Sequence, residues 1–191
     1  MLTFILGGAE VSFNSVVRFC HPPQKVQITN LNVLVVGTEQ PWVEALCLEA
    51  GAASVTTLEY GAITSEHPQI KTVTPTEINE QFRRGGLNEF DIAVTYSSLE
   101  HSGLGRYGDA ISPWGDVIWM AKLSCIVKKG GRIVVGVQSG DEDAVIFNAH
   151  RVYGPIRWPI LLQNWMATDY VPGSRQVWDN AMVVAENRRG E

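Results

Sequence analysis

From Leu31 to Gly37 the chain reads LNVLVVG, an unbroken apolar run closed by glycine. Such a run predicts a strand buried on both faces. Pro41 then opens a helical stretch, where its missing N–H costs nothing. Val43, Leu46, Cys47 and Ala50 share one face at helical spacing, and Gly51 is a natural stop. SVTTLEYG follows as a second strand ending at Glu59-Tyr60, and IKTVT is a short third. Pro75, Thr76 and Glu77 start another helix, which runs to Phe82 and ends at Gly85-Gly86. FDIAVTY is the next buried strand. After a long polar loop, SSLEHSGLGRYGDAISPWGD, a helix is predicted from about Asp116 to Val127, with Trp119, Leu123 and Ile126 on one face. Lys128-Lys129 stands at its C-terminus, where cations are favourable, and GRIVVGVQ is a fifth strand.

Strands alternating with helices imply right-handed crossovers and a parallel sheet covered on both sides. The tail changes character. It carries Trp158, Trp165, Tyr170 and Trp178, two strands at 164–170 and 180–186, and no strong helix after Arg157. Short-connected strands pair antiparallel. The expected fold is therefore α/β: a doubly wound, mostly parallel, Rossmann-like sheet with a terminal antiparallel strand pair. Val33–Gly37 should lie in its middle, flanked by 54–59 and 91–96, with the final pair at the edge beyond 132–137. No repeat or linker interrupts the pattern, so residues 1–191 read as one domain. Pro22-Pro23 breaks whatever precedes it, which leaves residues 1–30 as an irregular or partial N-terminal extension.

Composition narrows the function classes. The 191 residues are 45% hydrophobic and 18% charged, which is globular usage and not that of a disordered chain. With 15 basic and 20 acidic residues the net charge is −5, a poor match to a nucleic-acid backbone. No apolar run approaches the roughly 20 residues of a membrane span. The opening MLTFILGG lacks a preceding basic stretch, so no cleaved signal is expected. Cys20, Cys47 and Cys125 are odd in number and widely spaced, which supports neither a thiolate zinc site nor a disulfide framework. A reducing compartment, the cytoplasm, is favoured.

In an open parallel sheet, ligands bind beyond the C-terminal strand ends, beside the first strand. That rule gathers Gly37, Thr38, Glu39, Glu59, Tyr60, Thr74, Ser97 and Ser98 around one crevice as candidate cofactor contacts. Glu59 lies 22 residues after Gly37. This is close to the roughly 20-residue spacing at which an acidic side chain accepts hydrogen bonds from a ribose. The first loop, GTEQPW, lacks the G-x-G-x-x-G that lets backbone approach a pyrophosphate, and its carboxylate would repel one. A nucleoside with a neutral or cationic tail is tolerated there.

The succession VLVVG, TTLEYG, FDIAVTYSSLEH, VKKGGRIVVGV resembles a class I S-adenosylmethionine-dependent methyltransferase. More narrowly, PWVEALCLEAGA, YSSLEHSGLGRYGDAISPWGD and FNAHRVYGPIRWPIL resemble the family described as Caenorhabditis protein of unknown function, domain of unknown function 268. The resemblance covers Asn32 to the C-terminus. It implies the methyltransferase fold and S-adenosylmethionine as cofactor. The chain departs from the general pattern at Val35, where that class has an acidic residue, and at Glu39 and Pro41, where it has glycines. Glu39 is the candidate to face the cofactor's ammonium.

His101 follows the fourth strand and is the candidate general base, with Glu100 as its orienting partner. Arg106, Tyr107, Asp109 and Trp114 lie on a glycine-rich loop suited to a substrate lid, or to a rigid connector in which Arg106 pairs with Asp109. Asp116 is expected to cap the following helix. His150, Arg151 and Tyr153 contact a polar substrate if their segment crosses the crevice, and form a structural polar knot if it does not. His21 and His67 are expected to be exposed. No metal site is expected, since the spacings match no ligand motif. The leading reading is a methyltransferase acting on a small-molecule or glycan hydroxyl, without nucleic-acid partner or membrane span. The alternative is a binding or scaffolding module that kept the fold and lost the cofactor. A nucleotide-sugar enzyme of the short-chain dehydrogenase type ranks last, lacking the glycine fingerprint and any Tyr-x-x-x-Lys pair.

Overall fold

The computed structural model describes residues 5–6, 9–10, 26–86, 89–146, 148–171 and 180–190. Near the N-terminus β1 (Ile5–Leu6) and β2 (Ala9–Glu10) form a short antiparallel pair. Cys20, His21 and Pro22-Pro23 lie outside the described residues. The main sheet is built from β3 (Asn32–Val36), β4 (Ser54–Leu58), β5 (Ile70–Val73), β6 (Phe90–Tyr96), β7 (Val127–Gln138), β10 (Trp165–Val171) and β11 (Asn180–Asn187). Its order is β10-β11-β7-β6-β3-β4-β5. The pairs β3–β4, β3–β6, β4–β5 and β6–β7 are parallel. β11 runs antiparallel between β7 and β10. The first strand is thus central, between the two neighbours expected for it, and the last strand sits between its two predecessors.

The period-2 alternation of β3 sends side chains into two cores. Leu34 and Val36 pack with Leu58, Ala93, Ile133 and Val135, beneath Ile78 of α2 (Pro75–Arg83) and Trp119 and Leu123 of α3 (Gly115–Ile126). Val33 and Val35 pack with Val55, Ile92 and Val94, beneath Val43 and Cys47 of α1 (Trp42–Glu49). Both faces are buried, as a continuous apolar run requires.

Four features depart from the sequence expectation. α3 gives way to extended backbone at Val127, so Lys128 and Lys129 belong to β7 and not to a helix end. Lys128 Nζ instead donates to Asp91 Oδ1 at 2.5 Å. A hairpin of β8 (Ala144–Ile146) and β9 (His150–Val152) follows β7. A short helix, α4 (Arg157–Leu161), follows the hairpin, and Asp143 accepts from the N–H groups of Gly154, Ile156 and Arg157 at its start. Finally, Asp116 does not cap α3, because the helix begins one residue earlier and Trp114 is the N-cap residue. Its buried carboxylate accepts from Tyr153 Oη at 2.8 Å and from Arg157 Nε and Nη2 at 2.8 and 2.6 Å.

Asp116 is fully buried, and it balances a guanidinium while accepting from a buried phenol. Removing one partner of such a cluster leaves the others uncompensated in low dielectric. Asp116→Ala should lower unfolding free energy by about 3–5 kcal/mol, read as a reduced denaturant midpoint.

Candidate functional site

The parallel strands end together, and the crevice forms where β3 meets β4 on one side and β6 on the other. It is lined by Val36, Gly37, Leu58, Glu59, Tyr60, Pro75, Ser98, Ser102 and Trp119. The walls are apolar and aromatic, and Glu59 supplies a carboxylate at the head of β4. Glu59 Oε1 accepts from the N–H of Tyr60 at 2.7 Å. Across the crevice, Trp119 Nε1–H donates to Tyr60 Oη at 2.7 Å, with the two rings edge to face at 6.2 Å. Burial raises the Tyr60 phenol above its ordinary value, and the nearby Asp109 and Glu59 carboxylates add to the rise.

Gly37 turns the chain with φ +71°. A Cβ there would lie 1.8 Å from Ser98 Oγ, so only glycine fits beside Ser98. Ser97 also holds a left-handed φ of +51°, while its N–H donates to the carbonyl of Gly136 at 2.8 Å. Such strain is tolerated where surrounding structure fixes it, and it gathers at functional sites. In the first loop Thr38 is buried and Glu39 exposed. Thr74 is committed elsewhere: its hydroxyl accepts from the N–H of Glu77, and the Glu77 carboxylate accepts from Thr74 N and Oγ1 at 2.7 and 2.8 Å. Those bonds also hold the Glu77 carboxyl below its ordinary value. The structure therefore makes Thr74 the cap of α2.

Beyond β6 a 3-10 turn, Leu99–His101, carries the second group of candidates. His101 Nδ1 lies 2.5 Å from the carbonyl oxygen of Ala149, and Nε2 lies 3.9 Å from Glu100 Oε1. The His101 ring is edge to face with Tyr107 at 5.6 Å and with His150 at 6.2 Å. Burial pushes the His101 imidazole down, and Arg106, His150 and Arg151 push it further. His150 is lowered by burial and by Arg106. His150 Nε2 is buried without a hydrogen-bond partner. Arg106 Nη1 donates to the carbonyl of Asn148 at 3.2 Å, and its guanidinium stands 5.7 Å from the Tyr107 ring centroid. The Arg106–Asp109 pair of the rigid-connector alternative does not form, and Asp109 Oδ2 accepts from the N–H of Gly103 at 2.5 Å. Trp114 is half-exposed, with the Arg157 guanidinium 5.8 Å from its ring centroid.

Arg151 and Tyr153 do not reach the crevice. Arg151 is 1% exposed and donates to the carbonyls of Glu100, Ser102 and Ser112 at 3.4, 2.5 and 3.1 Å. Tyr153 is fully buried against Asp116, and burial raises its phenol well above the ordinary value. The polar-knot alternative describes these two residues.

Several contributors escaped the sequence reading. Ser102, Pro75 and Trp119 line the crevice, and of these only Trp119 carried a signal, as part of an apolar helix face. Glu44 is buried on α1 and accepts from the hydroxyls of Thr38 and Thr57 at 2.5 and 2.7 Å. Nothing in the apolar periodicity marks it. Among the described residues no group of three or more His, Cys, Asp or Glu is arranged to hold a metal ion, and no helix is long and apolar enough to cross a membrane.

A central β3, a crevice at its head and an antiparallel last strand between its predecessors define the class I S-adenosylmethionine-dependent methyltransferase fold. Solved structures agree. The 1,6-didemethyltoxoflavin-N1-methyltransferase of Burkholderia thailandensis, with bound 1,6-didemethyltoxoflavin and S-adenosylhomocysteine, matches with a TM-score of 0.64 at 17% identity, covering 92% of this chain and 77% of that one. The N-methyltransferase NodS of Bradyrhizobium japonicum matches at 0.63 and 11% identity, covering 92% and 93%. Fibrillarin of Aeropyrum pernix, with natively bound S-adenosyl-L-methionine, matches at 0.59 and 12% identity, covering 91% and 73%. Identities this low show a shared fold. The profile of the family described as Caenorhabditis protein of unknown function, DUF268, matches residues 30–183, and the chain belongs to that family. Comparison with curated proteins finds no match.

Glu100 yields a direct test. Its carboxyl is fully buried, and neither oxygen has a hydrogen bond of normal geometry. Burial raises it from 4.5 to about 7, only partly offset by its own N–H, the Ser97 hydroxyl and the Ser98 N–H. A carboxyl raised on folding stabilises the fold fully below its unfolded value and loses that contribution as pH rises through about 7. Glu100→Gln cannot ionise. It should gain stability relative to the wild type between pH 4.5 and pH 8, levelling on the order of 3 kcal/mol, in denaturant titrations at several pH values. A pH-independent difference would remove the buried acid from the account.

Proposed function

We propose that this protein is an S-adenosylmethionine-dependent methyltransferase acting on a hydroxyl of a small molecule or glycan. The observation that carries the reading is Glu59, a carboxylate at the head of β4 beside an apolar crevice, in a fold shared with methyltransferases. Glu59 accepts from the ribose hydroxyls, and Tyr60 and Trp119 provide aromatic walls. Gly37, Thr38, Glu39, Ser97 and Ser98 border the rest of the nucleoside and its tail. When bound, S-adenosylmethionine supplies a methyl group on a sulfonium.

The chain's own chemistry centres on His101. With Nδ1 against the Ala149 carbonyl, the neutral ring carries its proton on Nδ1 and keeps the Nε2 lone pair. Burial and Arg106 favour that neutral form. A proton taken from the acceptor hydroxyl at Nε2 leaves an imidazolium 3.9 Å from the Glu100 carboxyl, which balances it in its ionised form. Arg106, Tyr107, Asp109, Trp114 and His150 are the contacts for the acceptor. Arg151 and Tyr153 act behind them, through the backbone they hold. The Burkholderia thailandensis neighbour methylates a small molecule, which is consistent with an acceptor of that size.

One observation favours a second reading, a binding module without catalysis. The space beside Gly37 is filled by Ser98, and the Tyr60–Trp119 hydrogen bond spans the crevice. Calorimetric titration with S-adenosylhomocysteine separates the two readings. Binding is expected, and absence of heat favours the module. Glu59→Ala should weaken that binding at least about tenfold, because bonds from two hydroxyls to a charged acceptor are lost; unchanged affinity removes Glu59 from the site. His101→Ala should slow turnover about 100-fold with cofactor affinity nearly intact. Wild-type turnover in a variant that binds cofactor eliminates the assignment.

A further inference from the structure

Glu44 is 1% exposed on α1, in a position that an aliphatic residue would fill beside Val43 and Cys47. Burying a carboxylate there is costly unless it is well partnered. Its partners are two hydroxyls, both on one oxygen. Thr38 Oγ1 donates to Oε1 at 2.5 Å and Thr57 Oγ1 donates to the same atom at 2.7 Å. Oε2 is buried with no hydrogen-bond partner. Among the described residues no lysine or arginine pairs with it.

The three residues come from three elements. Thr57 is on β4, opposite Val35 of β3 in the sheet register. Thr38 is 5% exposed and is the first residue after Gly37 in the loop that borders the crevice. The carboxylate therefore ties the loop to the helix and the second strand, behind the crevice wall. Backbone bonds hold the two ends of the loop, from Gly37 N–H to the Leu58 carbonyl at 2.9 Å and from Trp42 N–H to the Gln40 carbonyl at 2.8 Å, and between them Glu39 is exposed.

We propose that Glu44 is a positioning residue for the cofactor's amino-acid end, which it serves by fixing Thr38 and with it the loop that carries Glu39. The proposal rests on the cofactor reading above and adds one residue to it. Glu59 recognises the nucleoside, and the loop held by Glu44 recognises the charged methionine tail. The link runs through a hydrogen-bond acceptor, so an isosteric amide, whose carbonyl oxygen can accept from both threonines, preserves it.

Two ligands separate this role from a merely structural one. S-adenosylhomocysteine carries the amino-acid tail, and 5′-deoxy-5′-methylthioadenosine keeps the nucleoside and thioether without it. Calorimetry on the wild type should show tighter binding of the first. Glu44→Ala and Thr38→Val should each lose about tenfold for S-adenosylhomocysteine and stay within about twofold for methylthioadenosine. Glu44→Gln should retain the wild-type preference. If Glu44→Ala does not fold, Thr38→Val carries the test, since it removes one hydroxyl at constant shape. Equal losses for both ligands, no loss for either, or a wild type without preference overturns the proposal while leaving the cofactor reading in place. A wild type that binds neither ligand overturns both.

Discussion

The guanidinium of Arg151 is sealed inside the protein, and its donors reach the carbonyls of Glu100, Ser102 and Ser112. These carbonyls belong to the 3-10 turn and to both ends of the loop that leads to α3. One side chain from β9 thus closes a loop that has few apolar anchors of its own. Its charge is balanced nearby by Asp116, 3.8 Å from Nε, which also holds Arg157 and Tyr153. In low dielectric these groups are strong only as a set, because each unsatisfied member would carry a full desolvation penalty. The set fixes the roots of the loop, and the exposed side chains of Tyr107, Ile111 and Trp114 project from it. A rigid root with an exposed aromatic tip suits the acceptor contact proposed above for this loop.

The sheet was legible in the sequence because its strands are buried on both faces. Runs such as LNVLVVG and FDIAVTY need no side-chain detail to be recognised, and the alternation with helices then fixes parallel pairing. The crevice was legible for a related reason: the chain topology, not any side chain, places the strand ends. Glu59 could be located by its place at a strand end together with its spacing from Gly37.

Side-chain direction was not legible. Arg151, Tyr153 and Asp116 are polar residues in polar stretches, and polarity suggests surface. Only the three-dimensional meeting of β9, α3 and α4 shows that they satisfy one another internally. Thr74 is a different case. The spacing Thr74-Pro-Thr-Glu77 is itself a capping-box signature, and the competing position at a strand end drew the residue to the crevice instead. Asp116 lies two residues past the N-cap position, since a helix starting at Gly115 leaves it in the first turn and turns its carboxylate toward β9 and α4. Glu44 had no sequence signal, because a buried acid on an apolar helix face contradicts the pattern that identifies the face.

The contradiction at Glu44 also bears on ligand class. Glu59 lines the crevice, Glu39 is exposed on its first loop and Glu44 lies buried behind that loop, while the basic side chains Arg106 and Arg151 lie beyond β6, around the 3-10 turn. A pyrophosphate at the head of β3 would meet the Glu59 carboxylate with no lysine or arginine among the described residues that line the crevice, and Coulomb repulsion opposes it there. A nucleoside with a cationic centre meets the same field as attraction. The fold accommodates many nucleotides, and under the reading proposed above the sign of the charge at the first loop selects among them. The glycines missing from that loop matter less under this constraint. They are needed where backbone N–H groups must crowd a phosphate, and here the loop is fixed instead by Thr38 against a buried acid.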